Sequence, residues 1–305
     1  EVIASDEAIT DENGEVTVTL PASLTEDGSG QNFVFEATIT DLAGNDVSGR
    51  TSVNVHPSSV YVGVRPQRYV GSDREEQVFE LVTVDWDAET VAVQRVDVTI
   101  FERRWNSVQV QEADGTVHWE SSVEEIPVAE FEDVRTDAQG RAEVSFLPPN
   151  GGVFKAVAVT RDPDGNRARA AAYMWVSSSD YVAWRQTDDR KINLILDKDT
   201  YEPGETAEIL ITSPFQGAVY ALVTVERGSI RVSEVIRLAS NSTTYDLPIT
   251  AEMAPNVYVS VSIIQGGEGE KLPDFRTGMA EIQVTTEQQA LEVDLSVDQE
   301  QAGPG

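Results

Sequence analysis

"LDKDTYEPGETAEILITSPFQGAVYALVTVERGSI", residues 196–230, holds a turn and the strands that follow it. In "AEILIT" (207–212) and "AVYALVTV" (218–225) apolar and polar residues alternate with period two. That is the pattern of a strand whose successive side chains point to opposite faces, one toward a core and one toward water. Ahead of them "EPGE" (202–205) sets Pro203 at the second position of a turn, holding φ at about −65°. Gly204 follows at the third position, where a type II turn needs positive φ. Tyr201 precedes the turn and is placed to cover the end of a core.

Working outward, the same alternation recurs along the chain. It is present in "EVTVTL" (15–20), "NFVFEATI" (32–39), "TSVNVH" (51–56), "RVDVTIF" (95–101), "AEVSFL" (142–147) and "VFKAVAVT" (153–160). It returns in "NVYVSVSII" (256–264), "AEIQVT" (280–285) and "LEVDLSV" (291–297). Turn-formers such as "DENG", "DLAGND", "EADG", "TDAQG" and "RDPDGN" separate these runs. No window carries a sustained 3.6-residue period. The chain is predicted to be all-β, built of tandem immunoglobulin-like antiparallel sandwiches. Punctuation divides it into a unit over 1–57, a second over 58–178, a linker over 179–190, a third over 191–289, and the first strand of another at 290–305.

The turn motif has an echo. In "VDQEQAGPG" (297–305), Val297, Asp298, Pro304 and Gly305 repeat Leu196, Asp197, Pro203 and Gly204 at equal intervals. A looser copy, "VGVRPQRYVGSDREEQVFELVTV" (62–84), sets Tyr69 and Gly71 in the places of Tyr201 and Gly204. The echo predicts that each unit begins alike, and that the sequence is an excerpt cut just inside its next unit.

The 305 residues carry 53 acidic and 22 basic side chains, a net charge of −31. Such a field repels nucleic acid and anionic membranes. There is no cysteine, which excludes disulfides, thiolate metal sites and cysteine nucleophiles. No apolar run approaches the ~20 residues of a membrane helix, and residue 1 opens a polar stretch rather than a secretion signal.

Catalytic candidates are few, and no catalytic, cofactor or metal residue is assigned. His56 and His118 fall in different units, whereas a nucleophile–base relay needs hydrogen-bond reach. The carboxylate pairs Asp85/Asp87, Glu124/Glu125, Asp162/Asp164 and Asp188/Asp189 read as solvated surface. "DPDGN" (162–166) and "DLAGND" (41–46) offer oxygens to calcium but lack a complete loop, and tight hairpins select the same residues. The five tryptophans read as core or interdomain packing, with Trp184 in "DYVAWRQ" as an interdomain wedge. "QGGEGEKLPDF" (265–275) reads as a mobile hairpin loop, and "NST" (241–243) as a turn.

The opening stretch also resembles the bacterial alpha-2-macroglobulins, in which an aspartate leads to Tyr-x-Pro-Gly and then to strands separated by "SPF". Here those residues are Asp197, Tyr201, Pro203, Gly204, Pro214 and Phe215, and Pro255 and Asn256 open the similar later strand "PNVYVSV". "FVFEATITDLAGNDVSGRTSVNVHPSSVYVGV" (33–64) and "RTDAQGRAEVSFLPPNGGVFKAVAVTRDPDGNRARA" (135–170) are similar to that family's repeated macroglobulin-like domains. The resemblance implies a scaffold around a protease-cut bait, in an inhibitor that encloses the protease and acts outside the cytoplasm. Its partners would be target proteases and neighbouring macroglobulin-like domains. The family's thioester, in Cys-x-Glu-Gln, has no counterpart in a chain without cysteine. The alignment sets the bait near or beyond the chain's end, in the domain that begins at Leu291. Two other readings compete: a cell-surface adhesin or stalk of immunoglobulin-like repeats, and the accessory β region of a carbohydrate-active enzyme.

Overall fold

Valine, isoleucine and threonine on alternating positions favour pleated, half-buried ladders, and strands of this kind run between Gln31 and Val284. The computed structural model describes residues 2–24, 30–267, 273–287, 290, 291, 293–297, 301 and 303. First come β1 (Gln31–Thr40) and β2 (Asp46–Val55), an antiparallel pair in continuous register from Gln31↔Val55 to Thr40↔Asp46. Phe33 is its one buried large apolar residue. No second sheet covers the pair among the described residues, so the sandwich expected over 1–57 is represented by one hairpin.

Two sandwiches follow. The first uses β3 (Tyr61–Pro66), β4 (Val70–Ser72), β5 (Gln77–Val84), β6 (Arg95–Gln111), β7 (Val117–Arg135), β8 (Arg141–Phe146), β9 (Gly152–Arg161) and β10 (Arg167–Ser177). A three-stranded sheet β3-β5-β8 faces a five-stranded sheet β4-β10-β9-β6-β7. The second uses β11 (Leu194–Leu196), β12 (Thr200–Tyr201), β13 (Thr206–Thr212), β14 (Val219–Arg227), β15 (Ser229–Leu238), β16 (Ser242–Pro248), β17 (Asn256–Gln265) and β18 (Asp274–Val284). Its sheets, β11-β13-β16 and β12-β18-β17-β14-β15, repeat the first order strand for strand. In both, the opening strand divides between the sheets, and its second piece (β4 or β12) pairs parallel with the last strand.

Each sandwich has its own apolar core. Phe79, Ile100, Phe146, Phe154 and Met174 centre the first, with the Phe146 and Phe154 rings 5.4 Å apart. Tyr201, Ile209, Ile211, Leu238, Ile263 and Ile282 centre the second. The strand β5 shows the alternation directly, every second residue being buried.

Two predicted strands are corrected. "EVTVTL" (15–20) and the described part of "LEVDLSV", residues 291 and 293–297, form no ladder. Leu291 and Leu295 are 91% and 92% exposed. Alternation specifies a face, but a strand also needs a neighbour for its backbone N–H and C=O groups, and neither segment has one among the described residues. Asp298, Pro304 and Gly305 of the echo lie outside the described residues, as do residues 268–272 of the 265–275 loop.

The looser copy is corrected as well. Tyr69 does match Tyr201 in its ladder, since each carbonyl accepts from the last strand of its sandwich, at 2.8 Å from Trp175 N and 2.9 Å from Thr285 N. Gly71, however, sits within β4 and not at a positive-φ turn. A Cβ there would stand 2.1 Å from Gln77 Oε1, so this glycine makes room for a packed side chain.

Candidate functional site

The motif of residues 197–205 folds into a braced corner of the second sandwich. Glu205 N donates to Glu202 O at 3.1 Å, closing the turn in which Gly204 takes φ of 101°. Gly204 N donates to Ile249 O and Ile249 N to Glu205 O, both at 2.8 Å, tying the turn to the end of β16. Tyr201 is fully buried, and its hydroxyl donates to Asp197 Oδ1 at 2.8 Å. Burial, then the hydrogen bond and charge of Asp197, hold the phenol well above its ordinary pKa, so it remains a donor. Asp197 Oδ1 accepts a second bond from Glu208 N at 2.8 Å.

The same aspartate faces the first sandwich. Arg68 donates to Asp197 Oδ2 through Nε at 3.3 Å and Nη2 at 3.2 Å, and Nη2 also reaches Glu208 Oε2 at 2.5 Å. Tyr69 N donates to Asp197 O at 2.9 Å, and the Tyr69 hydroxyl to Asp199 Oδ2 at 3.1 Å. Burial pushes the Glu208 carboxyl up, opposed by Arg68 and aided by the charges of Asp197 and Asp246. Asp197 thus braces its own corner with one oxygen and joins the two sandwiches with the other.

Beside this polar contact lies an apolar one. Val70 and Val153 of the first sandwich, Leu210 of the second, and Val182 and Trp184 between them form a buried cluster. Trp184 is 7% exposed, and its indole N–H donates to Asn241 O at 2.8 Å. Leu210 explains why β13 reads Ile-Leu-Ile. Ile209 and Ile211 enter the sandwich core while Leu210 enters the cluster, so both faces of this strand are buried.

Of the other motif residues, Asn256 opens β17 and donates to Glu281 Oε1 at 2.6 Å, while Pro255, after a cis peptide, accepts from Val284 N at 2.8 Å. Since Thr285 N bonds Tyr201 O, the end of β18 brings Tyr201 and Pro255 to one corner. Pro214 and buried Phe215 lie at the far end of β13, apart from that corner. Sequence reasoning missed Arg68, Glu208, Leu210 and Asn241. Only Leu210 carried a signal, the unbroken apolar run.

The remaining candidates are held in local structure. His56 Nδ1 lies 2.7 Å from the Tyr61 hydroxyl, and His118 lies 3.7 Å from Glu120. Asp162 accepts from Ser59 N, Asn166 N and Asn166 Nδ2 at 2.8–3.0 Å, and Asp41 accepts from Ala43 and Asn45 at 2.8 Å. The oxygens weighed for calcium are therefore turn acceptors, and among the described residues no group of three or more His, Asp or Glu could hold a metal ion. Packing does not account for every tryptophan: Trp86 is 59% exposed, and Trp105 lies under the guanidinium groups of Arg103 and Arg185. Asn241 of the "NST" triplet is buried.

A tandem of topologically identical macroglobulin-type sandwiches, joined through a shared aspartate, is the class of protein these features define. The family model described as Bacterial macroglobulin domain 6 matches residues 63–161, and that described as Alpha-2-macroglobulin bait region domain matches 192–305. The chain belongs to the bacterial alpha-2-macroglobulin family. It is 23% identical over 230 residues to an alpha-2-macroglobulin homolog of Nostoc, covering 75% of this chain and 12% of the relative. It is 23% identical over 314 residues to Escherichia coli alpha-2-macroglobulin, covering 93% and 18%. A cryo-EM reconstruction of the native E. coli protein aligns with a TM-score of 0.40 and 19% identity, over 90% of this chain and 18% of that one. The chain spans about a fifth or less of the length of these relatives. The bait region domain match starts at Ile192, which corrects the expectation that the bait-bearing domain begins at Leu291.

Proposed function

We propose that the chain is a scaffold segment of a broad-spectrum endopeptidase inhibitor that traps proteases after bait cleavage. The reading rests on the order of the two matched families, a macroglobulin domain and then a bait region domain, on sandwiches bonded directly through Arg68 and Asp197. Its units divide at 57, 178 and 190. The work is mechanical: rigid sandwiches hold a bait and convert its cleavage into a change of domain arrangement around the protease. Asp197, Tyr201, Pro203, Gly204, Pro255 and Asn256 brace one corner, Pro214 and Phe215 the other end, and Trp184 wedges the contact between sandwiches. Partners are target proteases, met through the longer protein, and neighbouring macroglobulin-like domains. The setting is outside the cytoplasm. Among the described residues no helix is long and apolar enough to cross a membrane.

The test titrates a protease with the protein carrying this chain and its flanking domains. Cleavage of a large protein substrate should fall while cleavage of a small peptide continues. Equal effects on both refute trapping, and no effect on either is the outcome for a surface adhesin.

A further inference from the structure

We propose that residues 178–192 are a lacing, not a hinge, and that they lock the two sandwiches into one lever. The chain leaves the first sandwich at the end of β10. At Val182 it is held by the second: Asn241 Oδ1 accepts from Val182 N at 2.9 Å and Asn241 Nδ2 donates to Val182 O at 2.7 Å. One side-chain amide thus takes both backbone groups of Val182, as a neighbouring strand would. Trp184 anchors to the same residue, Asn241, through its indole.

By Gln186 the chain has returned to the first sandwich. Beyond Arg103, the paired strands β6 and β7 have no β9 beside them and project as a two-stranded arm. Two serines opposite each other on that arm grip Gln186. Gln186 N donates to Ser107 Oγ at 3.2 Å, Ser107 and Ser121 hydroxyls lie 2.9 Å apart, and Ser121 Oγ donates to Gln186 O at 2.9 Å. Since Ser121 gives its proton to Gln186, the proton between the serines is that of Ser107. The bonds form a closed ring with a single direction. Arg185 covers Trp105 at 5.4 Å, and Asp188 Oδ1 accepts from Trp119 N at 2.7 Å, adding two further ties to the arm.

The chain then crosses once more. Ile192 N donates to Thr277 O at 3.0 Å and Thr277 N to Arg190 O at 2.9 Å, joining it to β18 of the second sandwich. Within about a dozen residues it passes from first to second, back to the first, and again to the second. A linker used as a hinge leaves its backbone to water. This one has its backbone groups taken alternately by the two bodies it connects, so rotation of either breaks bonds to the other.

The absence of cysteine allows a direct test. Spin labels on Ala138→Cys and Ser233→Cys, both exposed, report the distance between sandwiches. The parent should give one narrow distance distribution, and Ser107→Ala/Ser121→Ala a broad one, with ~10-fold faster amide exchange at Gln186. Ser107→Thr/Ser121→Thr, which keeps the hydroxyls, should retain the narrow distribution. An alanine variant as narrow as the parent, or a threonine variant as broad as the alanine one, overturns the proposal. Because the arm serines lie outside both cores, the variants should fold, and unchanged far-UV circular dichroism establishes it. Protease trapping does not enter this readout.

Discussion

Replacing Asp197 by alanine tests the corner most directly, because one carboxylate serves three donors. The Tyr201 hydroxyl, fully buried, would lose its partner at 2.8 Å, and an orphaned buried donor costs about 1–3 kcal/mol. Glu208 N would lose its 2.8 Å bond at a partly exposed site, where water replaces part of it and the cost is about 1 kcal/mol. Arg68 keeps Glu208 as a partner and is 43% exposed, so the lost pair adds only about 0–1 kcal/mol. The sum is about 2–5 kcal/mol. With a slope of about 1–3 kcal/mol per molar of urea, the transition should fall by about 2 M. The assay is equilibrium urea unfolding followed by far-UV circular dichroism, run for Asp197→Ala, Tyr201→Phe and the double variant. Removing the phenol hydroxyl removes the orphan, so the double variant should be less destabilised than the sum of the singles by about 1–2 kcal/mol. Additive singles, or an Asp197→Ala cost below about 1 kcal/mol, would refute the account of the corner.

Three further outcomes are expected. Gly204→Ala, with open space around the Cβ but φ of 101°, should cost about 1–3 kcal/mol from backbone strain alone, read from the urea midpoint. Gly71→Ala should destabilise by about 1–3 kcal/mol through overpacking against Gln77, and adding Gln77→Ala should recover part of it; a failure to recover places the cost elsewhere. The Asp162 carboxyl is held well below the usual range by the Ser59 N–H and by Asn166. Its folded pKa being depressed, its contribution is present above the unfolded value near 3.8 and lost as pH falls toward the folded one. Thermal melts of Asp162→Asn should therefore show a shallower decline below about pH 4 than the parent.

What was legible in the sequence follows from local physics. Alternation marks the face of a strand, so "RVDVTIF" and "NVYVSVSII" announced β6 and β17. Proline and glycine at fixed turn positions announced the corner at Glu202–Glu205, where φ is set within the chain itself. Alternation also overreached. Residues 15–20, 291 and 293–297 carry the pattern without a neighbour among the described residues to complete their backbone bonds, and nothing in a single segment reports whether a partner is present. Gly71 resembled a turn glycine because a missing Cβ serves two purposes that sequence does not distinguish.

By itself, then, the sequence determined an all-β chain, the Pro-Gly turn at its corner, and the exclusion of cysteine chemistry. Tertiary structure decided which residues join the sandwiches. Arg68 and Asp197, Trp184 and Asn241, and Gln186 and the two serines are separated by 129, 57, 79 and 65 positions. None belongs to a periodic pattern, because each bond depends on where two independently folded surfaces meet. Periodicity is a property of a strand and its own face; a junction is a property of two faces, and only the folded arrangement brings them together.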